Sequence, residues 1–521
     1  MNHLALFRAT LPETALEIAA LLVLVADLGF LRNAGQKMRI AVAALLGVAG
    51  CAAALWAVSI AGPLSSGDDL LLAAGGSAGV AQCAILVLTA LTLLLLIDSD
   101  FTRNAGEYVA VVLMAAAGGL IIAAAQDLLV IFVGLELLSL GLYILTAFAK
   151  QSGKSAEAAM KYYLFGAMSA AFLLFGFSYL YGLSGSTSLP KVVLGTYASS
   201  ANGGSPLLYI ALVMIAVGLG FKIAAVPFHL WAPDTYEGAP APAAAFIASV
   251  SKVASFALLI SIGYAALHYL QTLIQSSRVT GPSYSGASVT LVSGPQHLAV
   301  AATVYYGWFL ILAVLSAASM AFGNLAALAQ SSVRRLLAYS AIAHAGYILL
   351  GLAFLSWSNR IPQAVLYYIL TYGLTTIGAF GVVGVVERAT GSDRMDAFLG
   401  LHKRNPWLAA VLLVLFLSLA GIPPLVGFWA KFNLFAAVLG VSAGPVPFIL
   451  VALAIAFSAV SLYYYLQVLK RAYVMPAADE APIRAHPVTL VVLIAIAAAV
   501  VVLGCFPALL QNWIASFYPA V

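Results

Sequence analysis

The chain alternates long apolar runs with short polar intervals, and the length of the runs is its first structural statement. Stretches of roughly 20 apolar residues, enough for a helix to cross about 30 Å of hydrocarbon, fall near 14–31, 38–60, 78–97, 108–126, 128–148, 160–183, 207–231, 241–270, 299–322, 336–356, 362–386, 407–437, 446–469 and 487–510. The pattern predicts an all-α polytopic membrane protein of about fourteen transmembrane helices, a single transmembrane domain over 1–521. The narrowest separation lies between the fourth and fifth runs, where only Gln126 and Asp127 intervene. Before the first run stands Arg8, and no convincing cleavage site follows, so that run reads as a retained span rather than a signal peptide.

Two runs contain helix breakers. Pro227 interrupts the seventh, and Gly421, Pro423 and Pro424 interrupt the twelfth. A proline removes one backbone donor and clashes with the carbonyl four residues earlier, so the carbonyls of Ile223, Leu419 and Ala420 should lose their usual partners. Interrupted helices at corresponding places in two halves point to an internally repeated transporter. Here the breaks are five spans apart, which predicts three N-terminal helices (1–100), one five-helix repeat (107–270), a second (299–475) and a C-terminal helix (476–521). An odd number of helices per unit inverts one unit relative to the other. Ordinary kinking is the competing account of a single such proline, but a lysine stands close to both breaks.

Composition agrees with the runs. The chain is 64% hydrophobic and only 8% charged, with mean hydropathy +1.06, far from the roughly 25% charged residues of soluble domains. The net charge of +5 reads as orientation rather than as a nucleic-acid surface. With both termini outside, on the periplasmic side of a bacterial inner membrane, the inner loops hold Arg32, Lys37, Arg39, Arg334, Arg335, Lys470, Arg471 and most other basic residues. The outer loops then hold only Arg8, Lys191, Arg278 and Arg360. Cys51, Cys83 and Cys505 lack the paired spacing of metal or iron–sulfur ligands and read as buried packing residues. No phosphate loop, dinucleotide fingerprint, metal cluster or nucleophile elbow is present, so the chain carries no visible redox chemistry of its own.

Four ionisable residues lie deep within apolar runs: Glu136, Lys222, Lys252 and Lys431. Each such group costs about 2.5–3.5 kcal/mol at the centre of a membrane helix unless it faces a partner or water inside the bundle. A buried lysine changes charge state readily, and a carboxylate that moves nearby can drive the change. Glu136 and Lys222 are the natural opposed pair, and Lys222 and Lys252 lie on consecutive helices. In the order Glu136, Lys222, Lys252, Lys431 these groups predict a proton path, with waters in the gaps. His344 is a possible relay because imidazole titrates near neutrality, although a satisfied buried histidine is an equal account. His229 is a second possible relay, on an inner-side access route with Asp234 and Glu237; solvated loop charges are the plain alternative. Glu17 and Asp27 lie near the ends of the first run, where snorkelling or capping explains them. Tyr463, Tyr464 and Tyr465 read as packing and interfacial residues.

The segments GLGFKIAAVPFHLWAPDTYEGAPAPAAAFIASVSKVA, LAQSSVRRLLAYSAIAHAGYILLG and LSLAGIPPLVGFWAKF resemble the antiporter-like subunits of proton-translocating NADH:quinone oxidoreductase, respiratory complex I. Within that family the length, the span count, the segment KYYLFGAMSAAFLLFGFSYLYG and Lys431 rather than an acid in the twelfth run are most similar to subunit N, the counterpart of mitochondrial NADH dehydrogenase subunit 2. The resemblance implies Glu136 as the acid of the fifth helix, Lys222 as its partner, Lys252 as the connecting lysine, Lys431 as the terminal lysine, and His344 as the histidine of the tenth-helix motif. It also implies that NADH, FMN, iron–sulfur clusters and quinone belong to other subunits. Neighbouring antiporter-like subunits, other membrane subunits of the complex and the lipid bilayer are the expected partners. A multisubunit sodium/proton antiporter or a membrane-bound hydrogenase of the same fold is the alternative function. A stand-alone permease and a scaffold whose charges only fix helix register are further alternatives.

Overall fold

The computed structural model describes residues 7–61, 71–73, 75–200, 206–278, 295–358, 360–441, 444–477 and 481–518. Residues 279–294, between the two expected repeats, and the chain ends, on which the placing of the termini rests, lie outside the described residues. Helix α1 (Leu11–Val25) runs through a π-helical turn at Ala26–Phe30 and is followed by α2 (Gln36–Ala61) and α3 (Gly76–Leu96). Next come α4 (Ala105–Ala124), α5 (Leu128–Thr146), α6 (Gly153–Ser184), α7 (Pro206–Ile223) and α8 (Ala241–Arg278). The chain continues through α9 (Pro295–Leu328), α10 (Val333–Ala353), α11 (Arg360–Thr390), α12 (Pro406–Ala420) and α13 (Val426–Leu439) to α14 (Val446–Tyr473) and α15 (Pro487–Cys505). Among the described residues twelve helices are long and apolar enough to cross a membrane, and α12 with α13 makes one further crossing in two halves. Together with α1 and its π-turn this reproduces the fourteen expected spans. Short helices at Leu189–Ser200, Trp231–Gly238 and Pro507–Ser516 complete the chain.

The closest boundary is decided by one side chain. Ala125 leaves α4 in an extended conformation with ψ 134°, and the Asp127 carboxylate accepts the Leu129 amide at 2.9 Å, capping α5. Three residues, Ala125, Gln126 and Asp127, therefore suffice to turn the chain.

The α4/α5 pair and the α9/α10 pair share a construction. Cβ atoms at Gly118 and Gly323 would each come within 2.6 Å of a backbone nitrogen, of Leu138 and Ala343 respectively. Cβ atoms at Gly141 and Gly346 would each meet α4 or α9 at 2.7 Å, at Ala115 and Met320. Small residues are what permit membrane helices to approach this closely. Each pair is followed by the same clasp. Leu128 donates to Thr187 at 2.8 Å and Leu189 to Gln126 at 2.9 Å, while Val333 donates to Asp393 and Met395 to Ser331, both at 2.9 Å. All these pairs except the far ends of the clasps are displaced by one constant step along the chain, the geometry that two repeated units produce.

The N-terminal helices are tied to α4 by Asp27. Its carboxylate accepts two hydrogen bonds from Arg39, both 2.7 Å, and one from the Gly106 amide at 3.2 Å. Asp27 is thus a buried ion-pair centre rather than a snorkelling or simple capping residue, and its pairing with Arg39 was hidden by the loop between α1 and α2. Glu17, in contrast, is exposed. Glu13, one turn earlier on α1, is buried against Gln82. The cysteines also depart from expectation: Cys51 is buried, but Cys83 is half-buried and Cys505 is exposed, because lipid-facing apolar runs accept them equally well.

Replacing Asp27 with Ala leaves Arg39 and the Gly106 amide without their acceptor, a loss of about 1–3 kcal/mol. The expected outcome is earlier exposure of Cys51 on heating, read as a lower midpoint of thiol labelling than in the unaltered chain.

Candidate functional site

The two helix breaks leave backbone carbonyls that need donors, and lysines supply them. Helix α7 stops at Ile223, where Ala224 takes φ 56°. Around this break the Ala225 amide donates to Gly220 at 2.8 Å, the Ala224 amide to Phe221 at 3.0 Å, the Trp231 indole to Phe221 at 3.0 Å, and the Val226 amide to Ser319 at 2.9 Å. The Ile223 carbonyl, freed by Pro227, accepts a hydrogen bond from the buried Lys252 amine of α8. Lys222, one residue before it, donates to the Ser139 hydroxyl of α5.

At the second break Gly421 ends α12 in the left-handed conformation, φ 89°, which favours glycine. Its amide and that of Ile422 satisfy Leu417 at 3.1 and 3.0 Å. The carbonyls of Leu419 and Ala420, freed by Pro423 and Pro424, both accept from Lys431, at 3.1 and 2.9 Å. Lys431 completes its three donors with the Ser458 hydroxyl of α14 at 2.8 Å, and its amine lies 5.4 Å from the centre of the Tyr347 ring. An ammonium placed on the last carbonyls of a helix also meets the negative end of the helix dipole.

His344 sits between these regions. It is buried, its Nδ1 lies 2.9 Å from the Tyr368 hydroxyl, and its ring packs against Tyr372 at 4.9 Å. Next to it is an internal cavity of ≈ 10 Å³ bounded by His344, Tyr368, Thr371, Ser418, Leu419 and Gly427 among others. That is about the space one water needs, in walls that are mostly apolar but include the His344, Tyr368 and Ser418 side chains. By the constant displacement that relates α4/α5 to α9/α10, His344 occupies the place in α10 that Ser139 occupies in α5.

The expected residues are therefore only partly brought into contact. Glu136 and Lys222 are not joined directly. Glu136 is half-buried towards the edge of α5, and Ser139, about one turn further on, receives the amine while the Glu136 charge acts at longer range. Lys222 and Lys252 do not meet: the Lys252 amine takes the Ile223 carbonyl, next to Lys222 along the chain, while the Lys222 amine takes Ser139. His229 is buried with its ring 4.7 Å from that of Phe322, and its Nδ1 has no hydrogen-bond partner. It is not grouped with Asp234 and Glu237. Those two are held by Lys161 at 2.7 Å, by Lys154 at 3.3 Å, and by Arg335 at 2.7 Å to Asp234 and 3.0 Å to Glu237. Burial alone would raise the Asp234 carboxyl, but hydrogen bonds from Lys161 and Arg335 outweigh it and hold the group below the usual carboxylate range.

Several contributors escaped the sequence. Tyr464 donates to Asn324 at 3.1 Å, Asn324 donates to the Tyr347 hydroxyl at 3.0 Å, and Tyr465 pairs with Ser340. Tyr464 and Tyr465 are thus members of a buried polar chain behind Lys431, whereas Tyr463 is exposed. Ser139, Ser319 and Ser458 looked like ordinary small polar residues. Ser139 alone carried a signal, three residues from Glu136 on one helix face.

The family model described as NADH:quinone oxidoreductase/Mrp antiporter, transmembrane, matches residues 125–281 and 287–458. NADH-quinone oxidoreductase subunit N 2 of Acidobacterium capsulatum is 46% identical over 99% of both chains. A chain of respiratory complex I from Thermus thermophilus with bound aureothin superposes with a TM-score of 0.73 at 32% identity, covering 96% of this chain and 98% of that one. A chain of an archaeal membrane-bound sulfane sulfur reductase reaches 0.78 at 22% identity, covering 97% and 96%, a likeness of fold.

Lys252→Met keeps the apolar stem and removes the donor, so the Ile223 carbonyl is left bare in a buried site at a cost of about 1–3 kcal/mol. The expected outcome is faster amide hydrogen exchange at Ala224 and Ala225 in the variant, with exchange at α4 unchanged.

Proposed function

Because the chain belongs to the family of NADH-quinone oxidoreductase subunit N, we propose that it carries protons across the membrane through Glu136, Lys222, Lys252 and Lys431. Electron transfer from NADH to quinone in other subunits supplies the drive, and FMN, the iron–sulfur clusters and the quinone site belong to those subunits. The membrane is a bacterial inner membrane, with both termini on the outer side. The units 107–270 and 299–475 are the two inverted halves of the conductor, and neighbouring antiporter-like subunits flank it.

The observation that carries this reading is that all three deep lysines are held by neutral oxygens, from a broken helix or a serine, with no carboxylate among their direct hydrogen-bond partners. A lysine locked to a carboxylate is fixed in the charged state. One held by hydroxyl and carbonyl oxygens keeps its place whether charged or neutral, because –NH3+ and –NH2 can both donate. Glu136 is close enough for its charge to bias Lys222 without fixing it. Movement of a negative charge towards or away from Lys222 would therefore load or release a proton there.

Carbonyl oxygens position an amine but do not relay protons. Transfer between Lys252 and Lys431 then needs intervening groups that both donate and accept, and His344, Tyr368 and a water beside them have that chemistry. His229, with its open Nδ1, is the corresponding group on the side of the first break.

In the assembled complex reconstituted in vesicles, Glu136→Gln and Lys222→Met should each lower the protons moved per NADH oxidised. An unchanged ratio, with the complex intact and turning over, would remove these residues from the path.

A further inference from the structure

A second cavity, of ≈ 250 Å³, opens sideways between α3, α11, α15 and the short helix Pro507–Ser516. Cys83, Val87, Leu370, Leu374, Leu510 and Trp513 line it, and Thr371 forms part of the wall. The Thr371 hydroxyl is already used, donating to the Tyr367 and Tyr368 carbonyls at 2.8 and 3.0 Å. Apart from the weakly polar Cys83 thiol and the Trp513 indole N–H, the described lining therefore offers no open hydrogen-bonding group.

Three occupants are conceivable in a membrane, and the geometry separates them. Water needs two to four polar partners, and apolar cavities of even ~150 Å³ stay dry. A helix is about 10–12 Å across, so even ten residues of one fill roughly 1000 Å³, more than the ≈ 670 Å³ of empty space that the groove offers with its open mouth included. A flexible apolar chain is left. Thr371 lies eleven residues into α11, roughly 16 Å along the helix axis at 1.5 Å per residue, so the groove reaches about half-way across the hydrocarbon. Trp513 stands at its other end on the short terminal helix, as aromatic residues do at the headgroup level.

We infer that this groove is a binding site for one acyl chain of a membrane phospholipid, entering beneath Trp513 and ending against Thr371. Thr371 also bounds the small cavity beside His344. The bound chain thereby seals the flank of the central polar axis with hydrocarbon, keeping bulk water from reaching His344 through the bundle side. The sealing role rests on the proton reading above; the site itself does not.

The test uses the assembled complex in nanodiscs of phosphatidylethanolamine and phosphatidylglycerol, doped with a phosphatidylcholine that carries a diazirine midway along one acyl chain. After irradiation, peptides containing Cys83–Leu88 and Leu370–Leu374 should carry lipid adducts several-fold more often than lipid-facing controls at Phe175 and Val491, which are 59% and 66% exposed. Leu374→Trp, which fills the groove, should abolish the enrichment and leave the controls unchanged. Val87→Trp serves the same purpose if the first variant fails to assemble. Adducts no more frequent than at the controls, or unaffected by either tryptophan, would overturn the site. So would a peptide of another subunit cross-linked to Cys83 by a short thiol reagent, since protein would then occupy the groove. An unchanged ratio of protons moved per NADH oxidised in Glu136→Gln and Lys222→Met, with normal adducts, would count against the proton reading and leave the site standing.

Discussion

Inside hydrocarbon a helix that stops must still satisfy its last carbonyls, and the rest of this architecture depends on how that is done. Each bare carbonyl costs several kcal/mol away from water, and each buried lysine costs about 2.5–3.5 kcal/mol. The two penalties are of similar size and opposite chemistry, so joining them removes much of both. Lys252 on Ile223, and Lys431 on Leu419 and Ala420, are that union. The broken helices give the lysines a reason to be buried, and the lysines allow the helices to break.

The surrounding structure holds the breaks open. Ser139 accepts from Lys222 and Ser458 from Lys431, Ser319 takes the Val226 amide, and Gly421 turns the chain so that its carbonyls face Lys431. The tight α4/α5 and α9/α10 pairs, built on Gly118, Gly141, Gly323 and Gly346, fix the helices that carry Ser139 and His344. Repetition places a hydroxyl in one unit where the other has an imidazole. Two copies of one scaffold thus present different side chains at the same place, a serine hydroxyl and an imidazole.

Much of this was legible in the sequence because cost leaves a mark. Apolar run length gave the spans, including the crossing split into α12 and α13, and the prolines named the three carbonyls that the lysines later proved to cap. Less legible was anything decided by distance across the bundle. Nothing in the local sequence around Asp27 named Arg39 as its partner rather than a membrane surface, and nothing around Tyr464 showed that Asn324 would lie opposite. That Glu136 and Lys222 are paired at a distance rather than in contact was hidden for a similar reason. Depth along a helix is readable from an apolar run, but the angular position that put Glu136 towards the edge and Ser139 towards the amine depends on which neighbours pack where. Family membership followed from long motifs, whose information far exceeds that of any single charged residue.

The central claim is that the buried amines serve the broken helix ends and leave room for a proton-carrying water. High-resolution electron cryomicroscopy of the assembled complex, with ordered waters resolved, tests it most directly. The account predicts the Lys431 amine within hydrogen-bonding distance of the Leu419 and Ala420 carbonyls, the Lys252 amine on Ile223, and one ordered water beside His344. Amines turned away from those carbonyls and paired with carboxylates, with His344 packed against dry hydrocarbon, would contradict it.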